Sequence, residues 1–222
     1  MTKTVTHKDE VPYFGSKKLL DIAPNRSFAA MIFETLSGEK PTESQSFLFE
    51  TILNISIDHG PDTPSAIEVI KNAQEGKLIT QSVAAGILQI NDYHGGAIEP
   101  AMELFYRIKK ENLDPKMVVR EFLWLDKRVP GFGHRIYKVD PRSQLLFELV
   151  KKEGISEEYV KLAKDIEREL KEAKGKELPV NIDGSIAAIL CAFGWEPRLG
   201  KAVFLIARVP GLCGQYLNNS KK

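Results

Sequence analysis

The sequence is poor in several features that would identify a class of protein. Only two cysteines occur in 222 residues, and Cys191 and Cys213 both lie in apolar segments, where we expect reduced, buried thiols. The 31 Lys and Arg residues are balanced by 30 Asp and Glu residues, so the chain lacks the excess positive charge typical of nucleic-acid binders. No uncharged apolar run approaches the roughly 18 residues that a membrane span requires.

The first residues also lack an apolar stretch that resembles a secretory signal. Apolar residues make up 43% of the sequence, which is too many for a disordered protein and enough for a buried core. The length suits one domain or two small lobes. Together these observations predict a globular, cytoplasmic protein with no nucleic-acid partner and no membrane partner.

Common cofactor and catalytic motifs are absent as well. The sequence has neither a His-Glu-x-x-His motif nor a Cys-x-x-Cys pair, and we therefore predict no metal site. It has no phosphate-loop lysine motif and no Gly-x-Ser-x-Gly. The Gly-Phe-Gly at 131–133 lacks the third glycine and the preceding strand of a dinucleotide-binding loop. No tightly bound cofactor is predicted.

Helix signals dominate what remains, and they predict an all-α fold. Asp114 and Asp140 each precede a proline, which is a strong signal for the start of a helix; the first of these helices is expected to reach toward Arg128. Residues 79–90 are nearly all apolar or small, which predicts a helix buried on most sides. Asn25 is a candidate cap for a helix at 28–36. Further helices are predicted at 64–76, 97–108, 156–170, 185–193 and 198–208, and no hairpin signal is found.

Three of the four histidines have a glycine neighbour, which allows a ligand to approach the backbone closely: His59, His94 and His134. The alternative interpretation is three unrelated histidines at helix ends, each making its own local hydrogen bond. His94 directly precedes a predicted helix, and the positive end of the helix dipole favours a neutral imidazole there. A neutral imidazole can donate a hydrogen bond to a developing enolate oxygen.

Two charged residues are further candidates for a site. Arg142 lies in the first turn of a predicted helix, where a forked cation beside free backbone N–H groups can bind a carboxylate; a surface arginine fits this position equally well. Asp183 precedes a predicted apolar helix, and helix capping is the ordinary explanation for such a residue. Apolar surroundings can also raise the pKa of this carboxyl and let it act on a carbon acid.

Four sequence blocks, in order, resemble those of the citrate synthase family. They are Tyr-His-Gly-Gly-Ala at 93–97, Pro-Gly-Phe-Gly-His-Arg-Ile-Tyr-Lys at 130–138 followed by Asp-Pro-Arg at 140–142, Leu-Pro-Val-Asn-Ile-Asp at 178–183, and Ile-Ala-Arg-Val-Pro-Gly at 206–211. The resemblance extends over residues 28–217. Asp-His-Gly-Pro at 58–61 and Asp-Gly at 183–184 are most similar to citryl-CoA lyases, either alone or as part of ATP-citrate lyase.

The resemblance implies a citrate-synthase-like, all-α fold with two helical lobes. Residues 1–94 and 188–222 would form the large lobe, and residues 95–187 the small lobe. It also implies a homodimer or a higher homo-oligomer, and a substrate that is a coenzyme A thioester in the chemistry of the tricarboxylic acid cycle.

The activity that the resemblance implies is cleavage of citryl-CoA to acetyl-CoA and oxaloacetate. His134 would take the hydroxyl proton, His94 would stabilise the enolate, and Asp183 would deliver the carbon proton. His59, Arg142 and Arg208 would hold the carboxylates. The coenzyme A would lie along Val129, Pro130, Gly131, Phe132 and Gly133. Two alternatives stay open: a citrate synthase, and a non-catalytic CoA-thioester-binding subunit paired with a longer homologue, since the chain is short.

Overall fold

The computed structural model of the chain describes residues 2–91 and 96–220. His94, one of the predicted catalytic residues, lies outside the described residues. The chain divides into two compact units, Met1–Thr51 and Ile52–Lys222. The lobes at 1–94, 95–187 and 188–222 stay a prediction.

The N-terminal unit begins with a small antiparallel sheet that the sequence did not predict. Its strands β1 (Val5–Lys8), β2 (Val11–Phe14) and β3 (Lys17–Lys18) lie in the order β1-β2-β3. The turn between β1 and β2 consists of Asp9 and Glu10, both with positive φ angles of 48° and 62°. Asp-Glu is not one of the dipeptides that signal such turns, since neither residue is glycine or asparagine, and the hairpin was therefore missed.

Short helices complete this unit: α1 (Leu19–Ile22), a 3₁₀ turn (Ala23–Asn25) and α2 (Phe28–Ser37), followed by α3 (Glu43–Ile55), which continues past Thr51. The predicted cap Asn25 is wrong. Ser27 caps α2 instead, because its side-chain oxygen accepts a hydrogen bond from the backbone N–H of Ala30 at 3.1 Å.

The larger unit is helical, and the all-α class is confirmed. Its helices are α4 (Pro64–Gln74), α5 (Ile79–Leu88), α6 (Ile98–Glu111), α7 (Pro115–Trp124), α8 (Pro141–Lys152), α9 (Glu158–Lys174), α10 (Ile182–Ala192) and α11 (Arg198–Asn219). Both Asp-Pro signals mark helix starts as predicted, and the aspartates cap α7 and α8. The first of these helices ends at Trp124, short of the predicted Arg128, and the following residues enter a loop.

Helix α10 is the central helix of this unit. It packs against α6, α8, α9 and α11, and its residues from Ile186 to Leu190 are at most 1% exposed. The helix begins at Ile182, three residues before the predicted start, because Asn181 caps it. Asp183 therefore lies within the first turn, and its interpretation as the helix cap is wrong. The first turn of this central helix therefore carries a carboxylate that is half-buried.

Helix α11 packs against α4 and α5. Leu212 packs into an apolar cluster with Ala66, Val69 and Val83 from α4 and α5. The predicted end of this helix at 208, before Pro210, is wrong, since the helix continues to Asn219. A proline removes one helical hydrogen bond, and the packing of the later turns on α4 and α5 offsets that loss.

Helix α5 differs from its prediction in burial. Leu78 beside its first turn is 66% exposed and Leu88 at its end is 81% exposed, so one face of this uncharged helix is open in the single chain. The expectation of burial on most sides is wrong for the chain alone. Within residues 2–91 and 96–220, no helix combines the length and the apolar character that a membrane span needs.

Candidate active site

Two neighbouring cavities mark the candidate site in the larger unit. They have volumes of about 790 and 410 Å³. Five residues line both cavities: His59, His134, Arg135, Asn181 and Asp183. Because the two cavities have these walls in common, one ligand can extend through both.

All five described residues that the sequence analysis assigned to catalysis or carboxylate binding line the smaller cavity. They are His59, His134, Arg142, Asp183 and Arg208. They come from α8, α10, α11 and two loops, and are up to 149 positions apart in sequence (208 minus 59). The three-dimensional fold thus brings these side chains to one cavity.

Asp140 and Arg142 form a rigid ion pair at the start of α8. The Asp140 side chain is fully buried, and its Oδ1 accepts hydrogen bonds from the backbone N–H and the Nε of Arg142, both at 3.0 Å, while Oδ2 accepts from Nη2 at 2.8 Å. Burial by itself raises the pKa of Asp140, but the hydrogen bonds and the charge of Arg142 outweigh it and hold the pKa below its ordinary value. One carboxylate thereby caps the helix and orients the guanidinium.

His59 lies against the same guanidinium. Its Nδ1 is 3.2 Å from Nη1 of Arg142. Burial lowers the pKa of His59, and the positive charges of Arg142 and Arg208 lower it further. The ring is therefore neutral at pH 7. If Nδ1 accepts from Arg142, the ring hydrogen is at Nε2 and is free to donate.

The protonation of His134 is fixed by the backbone that follows it. The backbone N–H groups of Ile136 and Tyr137 donate to its Nδ1 at 3.1 and 3.2 Å, and the Tyr137 ring stacks on it with centroids 4.5 Å apart. Burial lowers the pKa of His134, although Asp140 opposes this. If Nδ1 accepts from both backbone N–H groups, the neutral ring carries its hydrogen at Nε2, and this nitrogen is 3.4 Å from Nη2 of Arg142. Two donors that face each other in this way favour an oxygen ligand that accepts from both.

Asp183 and Arg208 complete the smaller cavity. Burial raises the pKa of Asp183 to about 6, against the opposing charges of Arg142 and Arg208. Arg208 is only 5% exposed; its Nε donates to the backbone oxygen of Ser56 at 3.0 Å, and its guanidinium lies over the Phe204 ring at 4.7 Å. A carboxyl with this pKa exchanges its proton near neutral pH, as a general acid or base requires.

Residues 129–133 line the larger cavity and are attached to the start of α10. Phe132 pairs with Val180 as an isolated β-bridge, and the Gly133 N–H donates to the Pro179 oxygen at 2.8 Å. Gly131 has a φ of +84°, and a Cβ on Gly184 would lie 2.2 Å from the Gly131 oxygen. Both glycines are therefore required by geometry, one for its backbone angle and the other for close approach.

The sequence analysis missed several residues of the site. Asn181 lines both cavities, and its position just before an apolar helix is a capping signal that would have found it. Arg107, Lys127 and Arg128 add positive charge to the larger cavity, with Arg107 paired to Glu121 through two hydrogen bonds of 3.1 and 2.8 Å. No sequence motif distinguishes these three from ordinary surface cations.

Comparisons with known proteins identify the family of the chain. Residues 7–222 match the family model described as citrate synthase, C-terminal domain. The structure is similar to that of citryl-CoA lyase from Hydrogenobacter thermophilus, with 39% identity, a TM-score of 0.92, and coverage of 99% of this chain and 86% of that chain. It is also similar to ATP citrate lyase from Methanothrix soehngenii in complex with citrate and coenzyme A, with 27% identity, a TM-score of 0.89, and coverage of 98% and 38%.

In sequence, the chain is 30% identical over 198 residues to the probable ATP-citrate synthase subunit 1 of Schizosaccharomyces pombe. That match covers 82% of this chain and 32% of the relative, so the chain spans about a third of the length of this curated relative. The family match covers nearly the whole sequence and includes every described residue of the two cavities. The chain belongs to the citrate synthase family.

Proposed function

We propose that the chain cleaves citryl-CoA to acetyl-CoA and oxaloacetate by a retro-Claisen reaction. The observation that carries this proposal is the meeting of His59, His134, Arg142, Asp183 and Arg208 in one cavity that adjoins the larger one. The similarity to a citryl-CoA lyase over 99% of the chain supports the same activity.

The cationic end of the smaller cavity would bind the carboxylates of the substrate. Arg142 and Arg208 supply forked, permanently charged donors, and neutral His59 supplies one more hydrogen bond. Because Asp140 already orients Arg142, the guanidinium needs little reorganisation when the substrate binds.

Asp183 would act at the carbon. When the carbon–carbon bond breaks, the hydroxyl loses its proton and becomes the ketone of oxaloacetate, and the bonding electrons pass to the thioester as an enolate. Protonation of the enolate carbon then gives acetyl-CoA. A carboxyl with a pKa of about 6 holds a proton for part of the time at neutral pH and is suited to this step. His94 would donate a hydrogen bond to the enolate oxygen.

His134 would exchange the hydroxyl proton through Nε2. If Nδ1 accepts from the two backbone N–H groups, this nitrogen carries the hydrogen. A ring in this state donates, which is the role required for condensation onto the ketone of oxaloacetate. To accept the proton during cleavage, the neutral ring must first place its hydrogen on Nδ1. This observation makes citrate synthase the second candidate function.

Coenzyme A would occupy the larger cavity along residues 129–133, whose backbone is held by the segment before α10. The three cations Arg107, Lys127 and Arg128 would face its phosphates. We propose no tightly bound cofactor, since the thioester itself is the substrate. A homodimer is supported by the exposed, uncharged face of α5, and a cytoplasmic location stays a proposal from the sequence.

Two reaction mixtures distinguish the candidate functions. In the first, the protein is mixed with citryl-CoA, and oxaloacetate is measured through NADH oxidation by malate dehydrogenase. In the second, it is mixed with acetyl-CoA and oxaloacetate, and free CoA is measured by a thiol reagent. We expect rapid cleavage in the first mixture and no sustained release of thiol in the second. Citrate and free CoA accumulating in the second mixture would overturn the lyase assignment in favour of a synthase.

Asp140→Asn should weaken substrate binding more than it slows the chemical step. Asparagine is still a good helix cap, but the charge-assisted bonds to Arg142 are lost and its guanidinium becomes free to move. We expect KM for citryl-CoA to rise about 10- to 100-fold with kcat changed by less than about threefold, since a charged hydrogen bond contributes roughly 1.5–3 kcal/mol.

The matched control is Asp114→Asn, which makes the same change at the cap of α7. It should leave both kinetic constants unchanged, because no residue of either cavity pairs with Asp114 in the described part of the chain. Equal KM values for Asp140→Asn and the wild type would show that Asp140 does not orient Arg142 for binding.

A further inference from the structure

Asn181 lies between residues 131–133 and α10, and both the oxygen and the nitrogen of its side-chain amide make hydrogen bonds. The amide oxygen accepts from the backbone N–H of Gly184 at 3.1 Å, which caps the helix. The amide nitrogen donates to the backbone oxygen of Gly133 at 3.0 Å. The backbone N–H of Asn181 also donates to the Gly131 oxygen at 3.0 Å.

The two elements that this amide joins each carry a residue of the proposed reaction. Gly133 is followed directly by His134, and the first turn of α10 carries Asp183. Asn181 also lines both cavities together with these two residues. The Asn181 amide thus adds a side-chain link between the element that carries the imidazole and the helix that carries the carboxyl, beside the backbone bonds that already join them.

Only an amide fits both contacts. The helix start offers an N–H donor and requires an acceptor, whereas the Gly133 oxygen requires a donor. Asparagine has one of each at the end of a short side chain. Serine can cap the helix but is too short to reach both partners, and alanine can make neither contact.

We propose that Asn181 is a positioning residue that fixes Asp183 relative to His134 by bonding, with a single amide, to the elements that carry each of them. The inference rests on the proposed function in one respect, namely that His134 and Asp183 act on the same substrate. It assigns Asn181 no contact with the reacting atoms.

Several charged groups face Asp183 and must stay unchanged in any test of its ionisation. Arg142 and Asp140 lie at the start of α8, and Arg208 lies on α11. His59, His134 and Arg135 line the same cavity from two loops. Substitutions at Asn181 leave all six groups in the chain, so a change in the pKa of Asp183 reports a change in its position and in its access to water.

The test compares Asn181→Ser and Asn181→Ala with the wild-type chain. Serine keeps the helix cap and loses the bond to Gly133, so its free energy of unfolding should fall by the net contribution of one hydrogen bond, and alanine, which loses the cap as well, should destabilise the chain further. For both variants we expect kcat for citryl-CoA to fall about 10- to 100-fold, the size of effect that misplaced reacting groups produce. The control is Asp114→Ala, which removes the cap of α7 and should lower stability without changing kcat.

The second readout needs no substrate. The Asp183 carboxyl carbon is titrated by NMR in the ligand-free protein, and its midpoint in both variants should fall below the midpoint measured for the wild type, because loss of the bond to Gly133 loosens this junction and admits water to the carboxyl. Midpoints within about 0.3 of the wild type together with kcat within twofold would overturn the proposal. If the wild-type protein fails to cleave citryl-CoA, the proposed function fails, and the titration still decides whether Asn181 positions Asp183.

Discussion

Asp183→Asn is expected to remove activity and to stabilise the protein at the same time. The amide keeps the size of the carboxyl but has no proton to deliver to carbon, and kcat should fall about 10²- to 10⁴-fold. Burial raises the pKa of Asp183 from an ordinary value of 3.8 to about 6. At pH 7.5 the carboxyl is therefore ionised in the folded chain, in surroundings that destabilise its charge. Removing that charge should raise the free energy of unfolding by about 1–3 kcal/mol.

The pH dependence of this stabilisation follows from the direction of the pKa change. The pKa is raised in the folded state, so between about pH 4 and 6 the folded chain binds more protons than the unfolded chain, and its stability falls as the pH rises. Below this window the aspartate is neutral in both states, and the variant and the wild type should be about equally stable. Above it the variant should be more stable by a constant amount. Urea unfolding at about pH 3, below the window, and at pH 7.5, above it, measures both limits.

Asp140→Asn provides a comparison of opposite sign. The pKa of Asp140 is held below its ordinary value, so its ionised form stabilises the folded chain above the ordinary pKa, and this stabilisation is lost as the pH falls. The same chemical change should therefore destabilise the chain at pH 7.5 when made at Asp140. If Asp183→Asn also destabilised the chain at pH 7.5, the charge of Asp183 would not be destabilised by burial. Its pKa would then not be raised, and its role as a general acid would lack a physical basis.

The sequence was informative where the chemistry is local. Asp140 and the proline after it mark the start of α8, because capping depends only on neighbouring residues. Local sequence also identified His59 and His134, which adjoin glycines, and Arg142, which follows the cap. Four of the five assigned residues of the smaller cavity were recognised from their local sequence, and Arg208 was assigned only through the family resemblance. Their convergence follows from the packing of α8, α10 and α11 and is not encoded in any single motif. The family resemblance supplied that step.

The predictions from sequence were wrong where contacts between residues far apart in the chain determine the local structure. Helix α11 continues past Pro210 because its later turns pack on α4 and α5, which no property of the proline predicts. Helix capping was the ordinary explanation weighed for Asp183 beside a catalytic role, but Asn181 takes the cap position, and the aspartate lies in the first turn of the central helix, where it lines both cavities. The tautomer of His134 depends on the backbone N–H groups of residues 136 and 137, whose direction is a property of the folded loop.

Gly184→Ala adds one methyl group, and we expect it to disturb the structure more than the same addition elsewhere in the site. The added Cβ would lie 2.2 Å from the oxygen of Gly131 and 3.0 Å from its carbonyl carbon. That oxygen also accepts a hydrogen bond from the Asn181 backbone, so it cannot withdraw without losing a partner. We expect the free energy of unfolding to fall by about 1–3 kcal/mol, as for other overpacked sites, and kcat/KM for citryl-CoA to fall at least about 100-fold.

Gly214→Ala is the matched control, because this glycine lies within α11 and an added Cβ would meet no described atom within 4 Å. Alanine there should leave kcat/KM unchanged and stabilise the helix by up to about 1 kcal/mol. The two variants differ by one methyl group each from the same chain, so opposite changes in stability would isolate the contact with Gly131. If Gly184→Ala kept wild-type stability and activity, the loop at 129–133 could move away from α10 without an energetic cost. The reaction would then not require a fixed distance between this loop and Asp183.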